Sequence, residues 1–101
     1  MRFWKYHGLG NDFVLVENLD GGVSKDPEFV RAVCHRRFGV GADGILYLER
    51  SGRADFAMRV MNSDGSEAEM CGNGIRCLAK HVHDLGHLEG EKMTIETLAG
   101  V

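Results

Sequence analysis

Apolar residues in this chain recur with two different periods. Phe3 to His7 and the run Phe13-Val14-Leu15-Val16-Glu17 are short, aromatic and β-branched, and predict two strands. Gly8-Leu9-Gly10-Asn11-Asp12 joins them, a loop of residues that tolerate left-handed geometry, with Asn11 at its tip. Asp26-Pro27-Glu28 then spells a helix start: N-cap, proline at the first helical position, acid in the first turn. Phe29, Val30, Val33 and Cys34 follow on one face, and the spacing predicts a helix ending near Arg37. Ile45-Leu46-Tyr47-Leu48 and residues 54–60 read as strands joined by a turn at Ser51-Gly52. Residues 73–85 predict a second helix, with Ile75, Leu78, Ala79, Val82 and Leu85 on a stripe widened by Cys77 and Gly86 as its stop. Lys92-Met93-Thr94-Ile95-Glu96-Thr97 alternates as a last strand. This order argues for an α+β fold in which a curved, barrel-like mixed sheet wraps around a central helix, the second one.

At 101 residues the chain accommodates one small domain. A net charge of −3 gives no electrostatic footprint for nucleic acid, and no apolar run approaches membrane-spanning length, so neither nucleic acid nor membrane is an expected partner. Three cysteines without an export signal suit reduced thiols, and a cytoplasmic setting is the expectation. With 14 glycines and one proline, the backbone is rich in turns.

The chemistry concentrates between Asn62 and Cys77, in Asn62-Ser63-Asp64-Gly65-Ser66-Glu67 followed by Met70-Cys71-Gly72-Asn73-Gly74-Ile75-Arg76-Cys77. Here a cysteine stands between a polar turn and a glycine-spaced helix start. The unpaired N–H groups of a first helical turn carry partial positive charge, which biases a neighbouring thiol toward its nucleophilic and basic anion. Gly72 and Gly74 would let a carboxylate approach those N–H groups. Cys71 is therefore the candidate for chemistry, whereas Cys34 and Cys77, on apolar helix faces, read as packing residues.

Other motif matches fail on context. Gly39-Val40-Gly41-Ala42-Asp43-Gly44 spells the dinucleotide-binding GxGxxG, but it follows a helix and opens a strand, the reverse of that motif's setting. Residues 66–69 fit a capping-box spelling with no apolar helical run behind it. Cys77 with His81, and His83 with His87, have the i, i+4 spacing of metal ligands but lack further ligands. A half-buried thiol and solvated imidazoles are the expectation there, with no metal and no cofactor.

Together, His7-Gly8-Leu9-Gly10-Asn11-Asp12-Phe13, the Gly39 to Gly44 segment, the Asn62 segment and the Cys71 segment resemble the diaminopimelate epimerase family. Proline racemase and its relatives share the cysteine-glycine step but usually carry histidine where this chain has Asn73. The resemblance implies that residues 1–101 form a single N-terminal lobe of a two-lobed isomerase with its active site between the lobes. It implies cofactor-independent proton transfer at an amino-acid α-carbon by two cysteines, one per lobe, with Cys71 as the catalytic cysteine of this lobe. Asn11, Asn62, Gly72 and Asn73 match the residues that bind the amino-acid substrate. Family members that use glutamine as a substrate contact differ from this chain at Gly44. The second cysteine and its Glu-Arg pair match nothing here, so a missing second lobe is implied, together with homodimerisation of the full-length enzyme and an open sheet edge where a later segment would pair.

Three readings follow: a lobe of such an epimerase, a half-chain that dimerises to use Cys71 twice, and a catalytically incomplete module that only binds a small amino acid.

Overall fold

The computed structural model describes residues 3–7, 10–69, 72–84 and 94–97. Their elements run β1 (Phe3–His7), β2 (Asp12–Glu17), α1 (Pro27–Cys34), β3 (Gly44–Glu49), β4 (Phe56–Asn62), β5 (Glu67–Ala68), α2 (Gly72–Asp84) and β6 (Ile95–Glu96). The strands form one mixed sheet in the order β1-β2-β3-β4-β5, with β6 also pairing β4. β2 and β3 are parallel, as a crossover through α1 requires, while β1–β2, β3–β4 and β4–β5 are antiparallel. The fold is α+β, as the element order predicts. Among the described residues β1 pairs only with β2, and no pairing closes the sheet into a barrel.

Helices cover both faces of the sheet's centre. Phe13, Leu15, Leu46, Leu48, Met58 and Val60 pack against Cys77, Leu78 and Val82 of α2. The intervening Val14, Val16, Ile45, Tyr47 and Met61 pack against Val30 and Cys34 of α1. This double coverage explains why β2 and β3 are continuous apolar runs. It also defines the helix expected to be enclosed: α2 lies along one face, burying Gly74, Cys77, Leu78, His81 and Val82 while Arg76, Lys80, His83 and Asp84 stay exposed.

α1 starts as its sequence predicts, with the Asp26 carboxylate accepting from Glu28 N at 2.9 Å and Pro27 opening the first turn. It ends at Cys34, three residues before the expected Arg37. His35 turns extended, and the chain folds back so that Val40 N and Gly41 N donate to Val33 O and Ala42 N donates to Cys34 O. The helix's terminal carbonyls are thus satisfied by the following loop rather than by another turn. Gly39 makes this possible, since a Cβ there would lie 2.1 Å from Ala32 O. The GxGxxG spelling is therefore a helix-to-strand turn closed on α1.

β5 was not anticipated. The Asn62 turn returns on itself, Asn62 N donating to Ser66 O at 2.7 Å, and Glu67 then pairs with Met61. An Arg59–Glu67 ion pair fixes this hairpin from the side. The last strand was predicted over residues 92–97; β6 occupies Ile95–Glu96, and residues 92–93 lie outside the described residues, as does Leu85.

Candidate active site

Four strand ends and one helix start meet at one end of the sheet. β1 ends at His7, paired with Asp12 at the start of β2, and Gly44 at the start of β3 pairs with Phe13 on one side and Asn62, the end of β4, on the other. α2 begins at the same end, because the Asn73 side chain donates from Nδ2 to Asn11 Oδ1 at 3.0 Å across 62 positions of sequence. Two of the predicted site residues are thereby joined at a helix N-terminus whose first N–H groups have no intrahelical partners.

The remaining candidates differ. Gly72 is exposed, and open space lies where a side chain would stand, so the approach to the start of α2 is unobstructed among the described residues. Gly74, further into α2, is buried, unlike the exposed Gly72. Asn62 lies two strand spacings from β2, roughly 10 Å. Its amide donates to Ser66 Oγ at 3.1 Å, within its own turn, and Asp64 holds that turn by accepting from Ser66 N and Oγ at 2.9 and 2.6 Å. Cys71 lies outside the described residues. The other two cysteines are buried in the cores, as expected, and burial pushes the Cys34 thiol up from its ordinary value.

Two arrangements here were not found from sequence. The first is ionic: Arg36 grips the Asp12 carboxylate with both terminal nitrogens, at 2.8 and 2.9 Å, and reaches Asp43 Oδ1 at 3.1 Å. The guanidinium holds the Asp12 carboxyl well below the usual carboxylate range, so it is ionised throughout the neutral region. The clue was available in Asp12 and Asp43, which stand inside two of the quoted motifs, but no spacing rule joins them to Arg36.

The second is a correction. His81 is fully buried, not solvated: its Nε2 lies 2.7 Å from Glu17 Oε2 and its Nδ1 2.9 Å from the Tyr6 hydroxyl. Trp4 packs edge-on against the ring with centroids 4.5 Å apart. Both ring nitrogens are thus engaged by protein groups, and Cys77–His81 is no ligand pair. Beside this network a cavity of about 550 Å³ runs along β1 and α2, lined by Lys5, Tyr6, His7, Asn73, Arg76, Cys77 and Lys80.

This α+β fold is shared with solved structures. A PhzF-family phenazine biosynthesis protein of Bacillus anthracis superposes over 97% of this chain and 32% of its own, with a TM-score of 0.70 and 26% identity. A hydroxyproline epimerase from Agrobacterium vitis shares the fold at a TM-score of 0.69 over 97% of this chain, with 17% identity. The family model for diaminopimelate epimerase matches residues 3–101, and the chain belongs to that family. Diaminopimelate epimerases of Archaeoglobus fulgidus and Moorella thermoacetica are each 56% identical to it over its whole length, which is 37% of theirs. The chain therefore spans little more than a third of the curated relatives it matches. No helix among the described residues is long and apolar enough to cross a membrane.

Proposed function

We propose that this chain is the N-terminal lobe of a cytoplasmic diaminopimelate epimerase, interconverting L,L- and meso-diaminopimelate in lysine and peptidoglycan precursor synthesis. The observation that supports this best is the Asn73–Asn11 hydrogen bond at the start of α2, which joins two separate family motifs in one polar site. In this reading the Cys71 thiolate takes the α-proton while a thiol of the second lobe returns a proton to the opposite face. The stereocentre inverts, one thiol is consumed and one formed, and the roles exchange in the reverse direction. The α-proton of an amino acid is a very weak acid, so the carbanion needs a preorganised field. N–H groups at a helix start, directed at the substrate carboxylate past Gly72, supply part of it. Asn11, Asn62 and Asn73 are neutral amides that orient a zwitterion without adding a competing charge. The full enzyme works as a homodimer and needs neither metal nor cofactor.

The test uses a chimera in which this chain replaces the matching stretch of the Archaeoglobus fulgidus enzyme. Incubated with L,L-diaminopimelate in D₂O, the chimera is expected to incorporate deuterium at the α-carbon, and the 101-residue chain alone is not. Exchange by the chain alone would favour the half-chain dimer, and binding without exchange in the chimera would leave only a binding module.

Alkylation offers a second check. With a neutral thiol reagent at neutral pH, Cys71 is expected to react well ahead of Cys34 and Cys77, both of which are buried. Equal rates at all three positions, read by peptide mass spectrometry, would remove the argument for an activated thiol.

A further inference from the structure

Asn11 can bind anything reproducibly only if its loop is held, and the described residues show what holds it. Residue 12 is tied on every side: Asp12 N donates to Asp43 Oδ2 at 2.9 Å, Asp43 N donates to Asp12 O at 2.9 Å, and the Asp12 carboxylate takes both terminal nitrogens of Arg36. Lys5 stands 3.4 Å from the same carboxylate. Arg36 also contacts Asp43, so a single guanidinium bridges the first residue of β2 and the residue preceding β3. It follows α1 at a place set by the loop that folds back on that helix, where Gly41, at φ +80°, passes so close that a Cβ would lie 3.3 Å from Arg36 Cα.

The Arg36 side chain is 59% exposed. A bidentate pair to a carboxylate only 15% exposed contributes modestly to stability, but that alone gives no reason for bridging two carboxylates. Its geometry supplies one, since it fixes the peptide immediately after Asn11, whose side chain accepts from Asn73 at the start of α2. We propose that Arg36 is a positioning residue for substrate binding, acting through Asp12 and Asp43 to hold Asn11 against Asn73. This rests on the functional reading above, in which Asn11 and Asn73 hold the polar groups of the amino-acid substrate. A planar fork is required, because lysine could neutralise Asp12 but could not bridge both carboxylates in one plane.

The test combines kinetics in the chimera with a spectroscopic readout in the chain itself. Arg36→Met is expected to raise KM for diaminopimelate about tenfold or more while kcat stays within about threefold, with Arg36→Lys between Arg36→Met and the parent. A purely structural role would lower the active fraction, reducing apparent kcat and leaving KM alone. In the 101-residue chain, the side-chain amide resonances of Asn11 and Asn73 are expected to move and to lose protection from exchange in Arg36→Met, with little change in Tm. An unchanged KM or unchanged amide resonances overturns the proposal. If the parent chimera shows no exchange at the α-carbon, the functional reading fails, and the amide resonances alone then decide whether Arg36 positions Asn11.

Discussion

Cys71→Ser in the chimera is expected to cut α-proton exchange by about 10³-fold while leaving the folded state intact. Serine keeps nearly the shape of cysteine but removes the ionisable thiol. A thiol with a reference pKa near 8.5, lowered beside a helix start, supplies a base near neutrality, and it supplies an acid when protonated. A hydroxyl supplies neither at that pH. The sequence step from Cys71 to Gly72 is the step into α2, whose first-turn N–H groups are unpaired along the helix. Cys34→Ala and Cys77→Ala serve as controls, because both thiols are buried against the sheet and are expected to affect stability while leaving residual exchange in the folded fraction. Deuterium incorporation read by mass spectrometry decides the matter. A serine variant within about tenfold of the parent would remove Cys71 from the chemistry.

How much of this could be read beforehand depended on the range of the interactions involved. Strands β1 to β4 and both helices follow from local periodicity, which needs only neighbouring residues. The early end of α1 was missed because residues 35–42 compete for its carbonyls, and that competition rests on Gly39's close approach rather than on helix propensity. β5 was missed because two residues in a polar turn carry no period. At the site, Asn11 and Asn73 stand in separate motifs, and only the fold shows that they bond each other. Asn62 shares their end of the sheet and bonds within its own turn. Arg36 is not legible from sequence because its partners lie 24 and 7 positions away, one at the start of β2 and the other just before β3. His81 shows how a helical stripe can be read too narrowly. Gly74, Cys77, Leu78 and His81 fall on one face at ordinary helical spacing, so residue 81 had to be buried. From sequence it reads as a polar, solvated residue, because Glu17 and Tyr6, which make its burial tolerable, lie 64 and 75 positions away.

That burial leads to the second large effect, which concerns stability. An Nε2–H directed at Glu17 leaves Nδ1 to accept the Tyr6 hydroxyl proton, so the ring is satisfied at both ends. Burial raises the Tyr6 phenol above its ordinary value, and the hydroxyl therefore remains a donor across the neutral range. His81→Ala would open a cavity beneath Trp4 and remove the hydrogen-bond partner of Tyr6 and one partner of Glu17. Combining the cavity with the lost buried hydrogen bonds gives a destabilisation of about 3–4 kcal/mol. For a chain of this size that corresponds to a fall in Tm of roughly 15–25 °C. Tyr6→Phe removes one hydroxyl and is expected to cost only about 1 kcal/mol, or roughly 5 °C. Thermal unfolding of the chain followed by circular dichroism measures both, and the double variant should lose less than the sum, because the Tyr6 hydroxyl already lacks its partner once His81 is gone. A His81→Ala variant within about 1 kcal/mol of the parent would mean that the network is incidental. The consequence reaches the site because His81 ties α2 to β1 and β2 two turns beyond Asn73. The buried imidazole thus bears on the element that carries Asn73, and the Arg36 clamp on the residue next to Asn11, so each acts on one partner of the same hydrogen bond.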